Sequence, residues 1–427
     1  MPALLGLFLI AFSVPAMAQT PPPSPEEMWR IIQEQAGQLE AQRRELETLK
    51  RALVATPDAV SAAPSLSASA VPPVETAAEP STVEPPPSPN AGWWDRTSLG
   101  GYGELHYEGG NRDIIDFHRF VLFFGHEFSD GIRFFSELEF EHAWVGQGRP
   151  GEVELEQAYV QLDVTDEHRL NVGLMLVPAG IANETHEPPT FFGVERNPIE
   201  TNIIPTTWWE AGIGLSGNFG ASGIAYNIMT SSGLNVARSG ASAFLVRGGR
   251  QRAANAMAHD PALTAQLRYT GLPGLELAAS GHYEFDITQG AGDPASGDDV
   301  SAFLFSAHAN ARVGGWGLRA LHASWWIDSL AARASGRDYQ TGYFIEPSYR
   351  FAVGGLRGEP GELGFFYRYN WWDNNAGITA DTPTTQHVIG ANYWPHPGLV
   401  FKLDYLWQEM ETGVKSDRIN AGLGFQF

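Results

Sequence analysis

The sequence predicts an all-β fold, a 16-stranded antiparallel transmembrane β-barrel over residues 93–427, preceded by a short coiled-coil helix and a Pro/Ala-rich linker. Three observations carry the prediction. Apolar and polar residues alternate in short segments from Trp93 onward, the connections between segments alternate in length, and tryptophans gather at segment ends.

Each segment holds about 10 to 14 residues, enough for a tilted strand to cross the hydrocarbon layer. Sixteen such segments can be read between Ser98 and Phe427. In the last, Ile419, Ala421, Leu423, Phe425 and Phe427 alternate with Arg418, Asn420, Gly422, Gly424 and Gln426, so one face suits lipid and the other water. The second segment, IIDFHRFVLFFGHEF, does not alternate cleanly, which predicts a bulge and leaves Arg119 a pore-lining candidate only. Tight turns such as Ser129-Asp130-Gly131, Gly271-Leu272-Pro273-Gly274 and Gly314-Gly315 contrast with long connections, notably Pro178 to Thr207 and Ser232 to Asp260. Short turns on one side and long loops on the other are the asymmetry of outer-membrane barrels.

Twelve tryptophans lie in this part. Trp144, Trp208, Trp209, Trp325, Trp326, Trp371, Trp372 and Trp407 fall at the long-loop ends of segments, and Trp93, Trp94, Trp316 and Trp394 at the short-turn ends, as two aromatic girdles would. Sixteen strands make a barrel wide enough for an aqueous lumen rather than a packed core.

Upstream, Leu4 to Val14 form an apolar run before Ala16-Met17-Ala18, which reads as a signal peptide over residues 1–18, although no Lys or Arg precedes the run. No later stretch approaches the roughly 18 consecutive apolar residues of a membrane helix. Within residues 25–54, Met28, Ile32, Gln35, Leu39, Gln42, Leu46, Leu49 and Leu53 recur at alternating steps of four and three, the seam of a periplasmic coiled coil. A lone solvated helix fits the same spacing; a self-associating one would make the barrel oligomeric. Residues 55–92, rich in Ala, Pro and Ser, read as a disordered linker.

Cysteine is absent, which excludes disulfide scaffolds, thiol catalysis and Cys-ligated metals. Lys and Arg number 27 against 49 Asp and Glu, a net charge of −22 that argues against nucleic acid as a partner. Most of the acidity belongs to residues 93–427.

The stretches VELEQAYVQLDV, NVGLMLVPAGIANETHEPPTFFGVERN and IIPTTWWEAGIGLSG resemble the signature region of the phosphate-selective porin O and P family. The terminal strand ending in Phe427 is similar to the signal by which outer-membrane proteins are recognised for insertion. The resemblance implies a bacterial outer-membrane porin, a homotrimer of sixteen-stranded barrels whose third external loop folds inward to narrow each pore. The third long connection here is Pro178 to Thr207. In phosphate-specific members the resemblance implies an arginine ladder leading to constriction lysines. This chain departs from that pattern, since of its three Lys only Lys402 and Lys415 lie in the barrel.

Strict alternation puts Arg133, Glu137, Glu139, Asp163, Arg268, Arg312, Glu346, Arg350, Arg368, Lys402 and Asp404 among the pore-lining candidates. For each, the plainer reading is a wall residue paired with a neighbour across the strands. The constriction-loop candidates are Glu184, His186, Glu187, Glu195, Arg196 and Glu200, of which Glu195 and Arg196 are equally suited to pinning the loop. No catalytic group, cofactor or metal is expected. His118 with Asp116, and His186 with Glu187, lack a ligand spacing, and Gly100-Gly101-Tyr102-Gly103 lies in a strand rather than before a helix.

The expected function is passive diffusion of small hydrophilic solutes or ions, anions such as phosphate among them, through a water-filled barrel in outer-membrane lipid. A barrel-borne enzyme would need a nucleophile and base that no motif supplies. A structural anchor, joining the membrane to the periplasmic cell wall through the coiled coil, stays open.

Overall fold

The computed structural model describes residues 92–110, 113–378 and 382–427. The expected signal peptide, the expected coiled coil and the expected linker up to residue 91 lie outside the described residues. A turn of 3-10 helix at Trp93–Arg96 leads into sixteen strands. They are β1 (Thr97–Gly109), β2 (Ile114–Ser129), β3 (Ile132–Glu141), β4 (Val153–Asp163), β5 (His168–Leu176), β6 (Trp209–Asn218), β7 (Ile224–Ser231) and β8 (Ala262–Leu272). The second half comprises β9 (Leu275–Glu284), β10 (Ala302–Val313), β11 (Trp316–Ile327), β12 (Tyr339–Gly354), β13 (Pro360–Asp373), β14 (Thr384–His396), β15 (Leu399–Met410) and β16 (Lys415–Gln426). Each strand pairs antiparallel with its sequence neighbours, and β1 pairs with β16 to close the barrel. Closure leaves no unpaired edge, which is what hydrocarbon demands of membrane strands.

Register separates an outward from an inward face. Along β8, Thr264, Gln266 and Arg268 sit opposite His282, Ser280 and Ala278 of β9, while the intervening Leu263 and Leu267 are 48% and 58% exposed. The same division runs round the barrel, with Val172, Ile213, Leu277, Phe305, Ile345, Phe365, Ile389, Leu403 and Ile419 all exposed on the outward face. In lipid each such side chain gains about 1.5–3 kcal/mol over its exposure to water. The predicted bulge in β2 is present: Glu104 pairs with Arg119 and Leu105 with Phe117, so His118 is the extra residue. Between β8 and β9 the turn depends on Gly274, whose φ is +77° and where a Cβ would lie 2.2 Å from the Arg312 carbonyl oxygen.

The expectation that the interior holds no packed core is corrected on the inner face of β10–β13. There Leu304, Leu321, Trp325, Phe344 and Trp372 are buried under Val177, Ile199, Ile203 and Trp208 of the connection after β5. Leu234, Phe244 and Val246 of the connection after β7, with Ile287 and Val300 of the one after β9, join the same cluster. Strand number fixes the width of a barrel but not what its connections do inside it.

The girdle expectation is corrected in the same way. Trp208, Trp209, Trp325, Trp372 and Trp394 are buried, whereas Trp93, Trp94, Trp144, Trp316 and Trp326 are 45% to 67% exposed. Adjacent residues on a strand point to opposite faces, so in the pair Trp325-Trp326 only one ring can reach lipid.

Candidate functional site

The inward face carries every pore-lining candidate. Arg133, Glu137 and Glu139 lie on β3, Asp163 on β4, Arg268 on β8, Arg312 on β10, Glu346 and Arg350 on β12, Arg368 on β13, and Lys402 and Asp404 on β15. The 177–208 connection reaches inward-facing groups on widely separated strands. It meets His106 of β1, Glu137 of β3, Arg268 of β8, Trp325 of β11, Arg368 of β13 and Asp404 of β15. A chain reaches all of these only from within the barrel.

The connection is held mainly through its backbone. The Val194 N–H donates to Asp404 Oδ2 at 2.7 Å, Asn392 donates to the Phe191 carbonyl at 3.1 Å, and the Trp394 indole donates to the Pro189 carbonyl at 3.0 Å. Arg368 donates to the carbonyls of Phe192 and Glu195 and, through Nε, to Glu346 at 2.6 Å. Lys402 is buried with Nζ 3.5 Å above the Phe191 ring, a cation–π seat rather than a solute-facing charge.

The constriction-loop candidates divide by what they touch. Glu184 accepts from Arg268 and Gln266, each at 2.7 Å, and His186 Nε2 lies 3.1 Å from Glu137. Glu195 meets His106 Nδ1 at 3.1 Å. Burial alone would raise the Glu195 carboxyl, but the hydrogen bond and charge of His106 hold it at about 2. Glu200 turns back into its own segment, accepting from the N–H groups of Ile181 and Ala182 at 2.5 and 2.6 Å, so it shapes the loop. Arg196 donates to Thr207 at 3.0 Å, while its Nε and Nη2 have no acceptor among the described residues. Glu187 is partly buried with Oε2 unbonded.

The 232–261 connection holds functional groups that sequence reading missed. Arg247 donates to the Thr206 carbonyl at 2.7 Å, Arg250 to the Thr207 carbonyl at 2.6 Å, and Arg252 to Glu152 at 2.8 Å and to Glu154. Burial brings Arg250 down to about 10, so it stays charged near neutral pH. No periodicity marks these arginines. His106 and Glu104 of β1 were not singled out in the sequence either; Arg119 beside them binds Glu104 at 2.7 Å and Glu139 at 3.3 Å.

A cleft of about 420 Å³ opens at the short-turn end, where Arg96, His126, Arg133 and Gln161 line it. A second, of about 260 Å³, lies toward the long connections among Glu195, Arg196, Arg368, Asp404 and Arg418.

The family model for phosphate-selective porin O and P matches residues 93–427. The chain belongs to this family. An uncharacterized protein of Aquifex aeolicus (strain VF5) is 31% identical to this porin over 359 residues, covering 77% of this chain and 80% of the relative. Among solved structures, the loop L8 deletion mutant of OmpT from Vibrio cholerae matches with a TM-score of 0.51 at 11% identity, covering 78% of this chain and 99% of that one. Salmonella typhi OmpF in complex with daunomycin matches with a TM-score of 0.52 at 13% identity, covering 78% and 97%. These likenesses show the outer-membrane barrel fold.

Within this porin the inward wall arginines named above meet carboxylates. Arg133 meets Asp163 at 2.5 Å, Arg350 meets Glu362, Arg312 lies 3.7 Å from the same Glu362, and Arg418 meets Glu108 at 2.6 Å. With Arg268 on Glu184 and Arg368 on Glu346, the arginines form no ladder of free cations.

Proposed function

We propose that this porin is a passive, water-filled channel for small hydrophilic solutes or ions, narrowed by its 177–208 connection and working as a homotrimer. The observation that carries this reading is the pairing of inward arginines with carboxylates, which leaves a field of mixed sign and no row of free cations among the described residues. Selectivity follows the uncompensated charge at the narrowest part of a pore. Lys402 is covered by Phe191, and Lys415 pairs with Glu409 at 2.7 Å. Phosphate therefore passes as one small anion among others rather than as a captured ligand.

The test is the reversal potential of the purified protein in a planar bilayer under a salt gradient. A value close to zero is expected. Strong anion preference with block by phosphate would overturn weak selectivity, and absence of conductance would overturn the channel.

The heptad seam from Met28 to Leu53 supports a second role, in which the N-terminal part anchors the barrel toward the periplasmic cell wall. Deleting residues 28–92 would then weaken the envelope while leaving conductance intact.

A further inference from the structure

We propose that Glu137, Glu156 and His186 form a divalent-cation site that ties the 177–208 connection to the barrel wall. Glu137 projects from β3, Glu156 from β4 and His186 from the connection. Their ligand atoms lie within 4.8 Å of one another. His186 Nε2 is 3.1 Å from Glu137 Oε1 and 3.6 Å from Glu156 Oε2. All three residues are buried, at 4%, 1% and 1% exposure for His186, Glu137 and Glu156.

Two further observations point to a ligand. Glu156 is the extra residue of a bulge in β4, since Glu137 pairs with Gln157 and Leu138 with Leu155. Bulges re-aim side chains, and this one brings a second carboxylate in beside Glu137. That carboxylate faces Glu139 as well as Glu137, and its Oε2 is buried without a donor, as His186 Nδ1 is without a partner.

Charge strengthens the case. Arg119, the nearby cation, already binds Glu104 through Nε at 2.7 Å and Glu139 through Nη1 at 3.3 Å. Glu137 keeps an amide donor, Gln157 Nε2 at 2.6 Å, but the two carboxylates share only one imidazole as a source of positive charge. Buried carboxylates without compensation are costly. A divalent ion with a neutral imidazole and two carboxylates balances to zero, and that mixed nitrogen and oxygen set suits Zn²⁺ or Mn²⁺. The site stands independently of what the pore conducts.

The experiment titrates EDTA-stripped, refolded full-length porin in detergent with Zn²⁺ and separately with Mn²⁺ by calorimetry. Asp116, His118 and His142 form a second, more exposed group, with both Nδ1 atoms on Asp116 Oδ2 at 3.2 and 2.7 Å. The titrations therefore use a His118→Gln/His142→Gln background. One bound equivalent is expected there, accompanied by a rise in melting temperature. Adding Glu156→Gln or His186→Gln should remove it or weaken it by about tenfold or more. No bound ion in the background protein would mean that a proton compensates the pair, and would overturn the proposal. Equal binding with and without His186→Gln would overturn it too. His186→Gln alters only the connection, so it keeps the test open should Glu156→Gln fail to fold.

Discussion

The two sides of the barrel interior hold the same connection by opposite means. Against β10–β13 it packs Ile199, Ile203 and Trp208 into an apolar cluster. Against β1, β3, β15 and Arg368 of β13 it is held by His106 on Glu195, Glu137 on His186, Asp404 on the Val194 N–H and Arg368 on the Phe192 and Glu195 carbonyls. Apolar packing has no direction and little dependence on salt or acid, whereas hydrogen-bonded ion pairs depend on geometry and protonation. One side acts as fill. The other leaves charged groups beside the clefts, where a permeating solute would meet them.

Substitutions can break this contrast, and the largest effects are expected at its two centres. Trp325 is fully buried, with its ring 6.4 Å from that of Trp208 and its indole donating to the Ile203 carbonyl at 2.8 Å. Trp325→Ala should cost about 3–5 kcal/mol. Arg368→Ala, which leaves the buried Glu346 only Arg319 at 3.9 Å and frees two loop carbonyls, should cost about 3 kcal/mol. Thermal melts in detergent check both, and an unchanged midpoint in either would mean that its side of the interior does not hold the connection. A smaller effect, about 0.2–1 kcal/mol, is expected for Glu184→Gln, because its pair with Arg268 is partly solvated.

Glu187→Gln and Arg196→Ala should leave the melt within about 0.5 kcal/mol while shifting the reversal potential in opposite directions. Unchanged conductance and ion preference in both would remove the connection from selectivity. Acid tests the polar side of the contrast separately. Glu195 has a folded value of about 2 against 4.5 for the free side chain. A lowered value contributes stability above the unfolded value and loses it as pH falls through the folded one. The contribution is therefore intact above pH 4.5 and disappears toward pH 2. Channel noise should rise across that window, and Glu195→Gln should abolish the rise.

Strands were legible because alternation has a period of two, and its loss along the second segment marked a bulge there, which the register places at His118. The same rule placed Arg268, Arg368 and Asp404 on one face of the wall. It failed for the tryptophans because a composition rule about girdles ignores facing: in Trp325-Trp326 alternation sends one ring inward, as the ring buried with Trp208 does. The apolar core was not legible, since Phe244, Val246 and Ile287 lie in connections whose residues follow no repeat. Pairings such as Arg250 with the Thr207 carbonyl, 43 positions apart, exist only once those connections fold.

The seam between β1 and β16 carries a consequence for assembly. It joins Tyr102 to Gln426 and Leu105 to Leu423, so it closes a loop of about three hundred residues, while every other strand pair is a local neighbour in sequence. Loop-closure entropy makes such a contact roughly 3 kcal/mol dearer than a ten-residue hairpin, and long-range pairing forms late. Until then the polypeptide is a curved sheet with two raw margins, each a template for strand addition. Whatever delivers this porin to its membrane meets it in that form, and the zipping of the seam commits it.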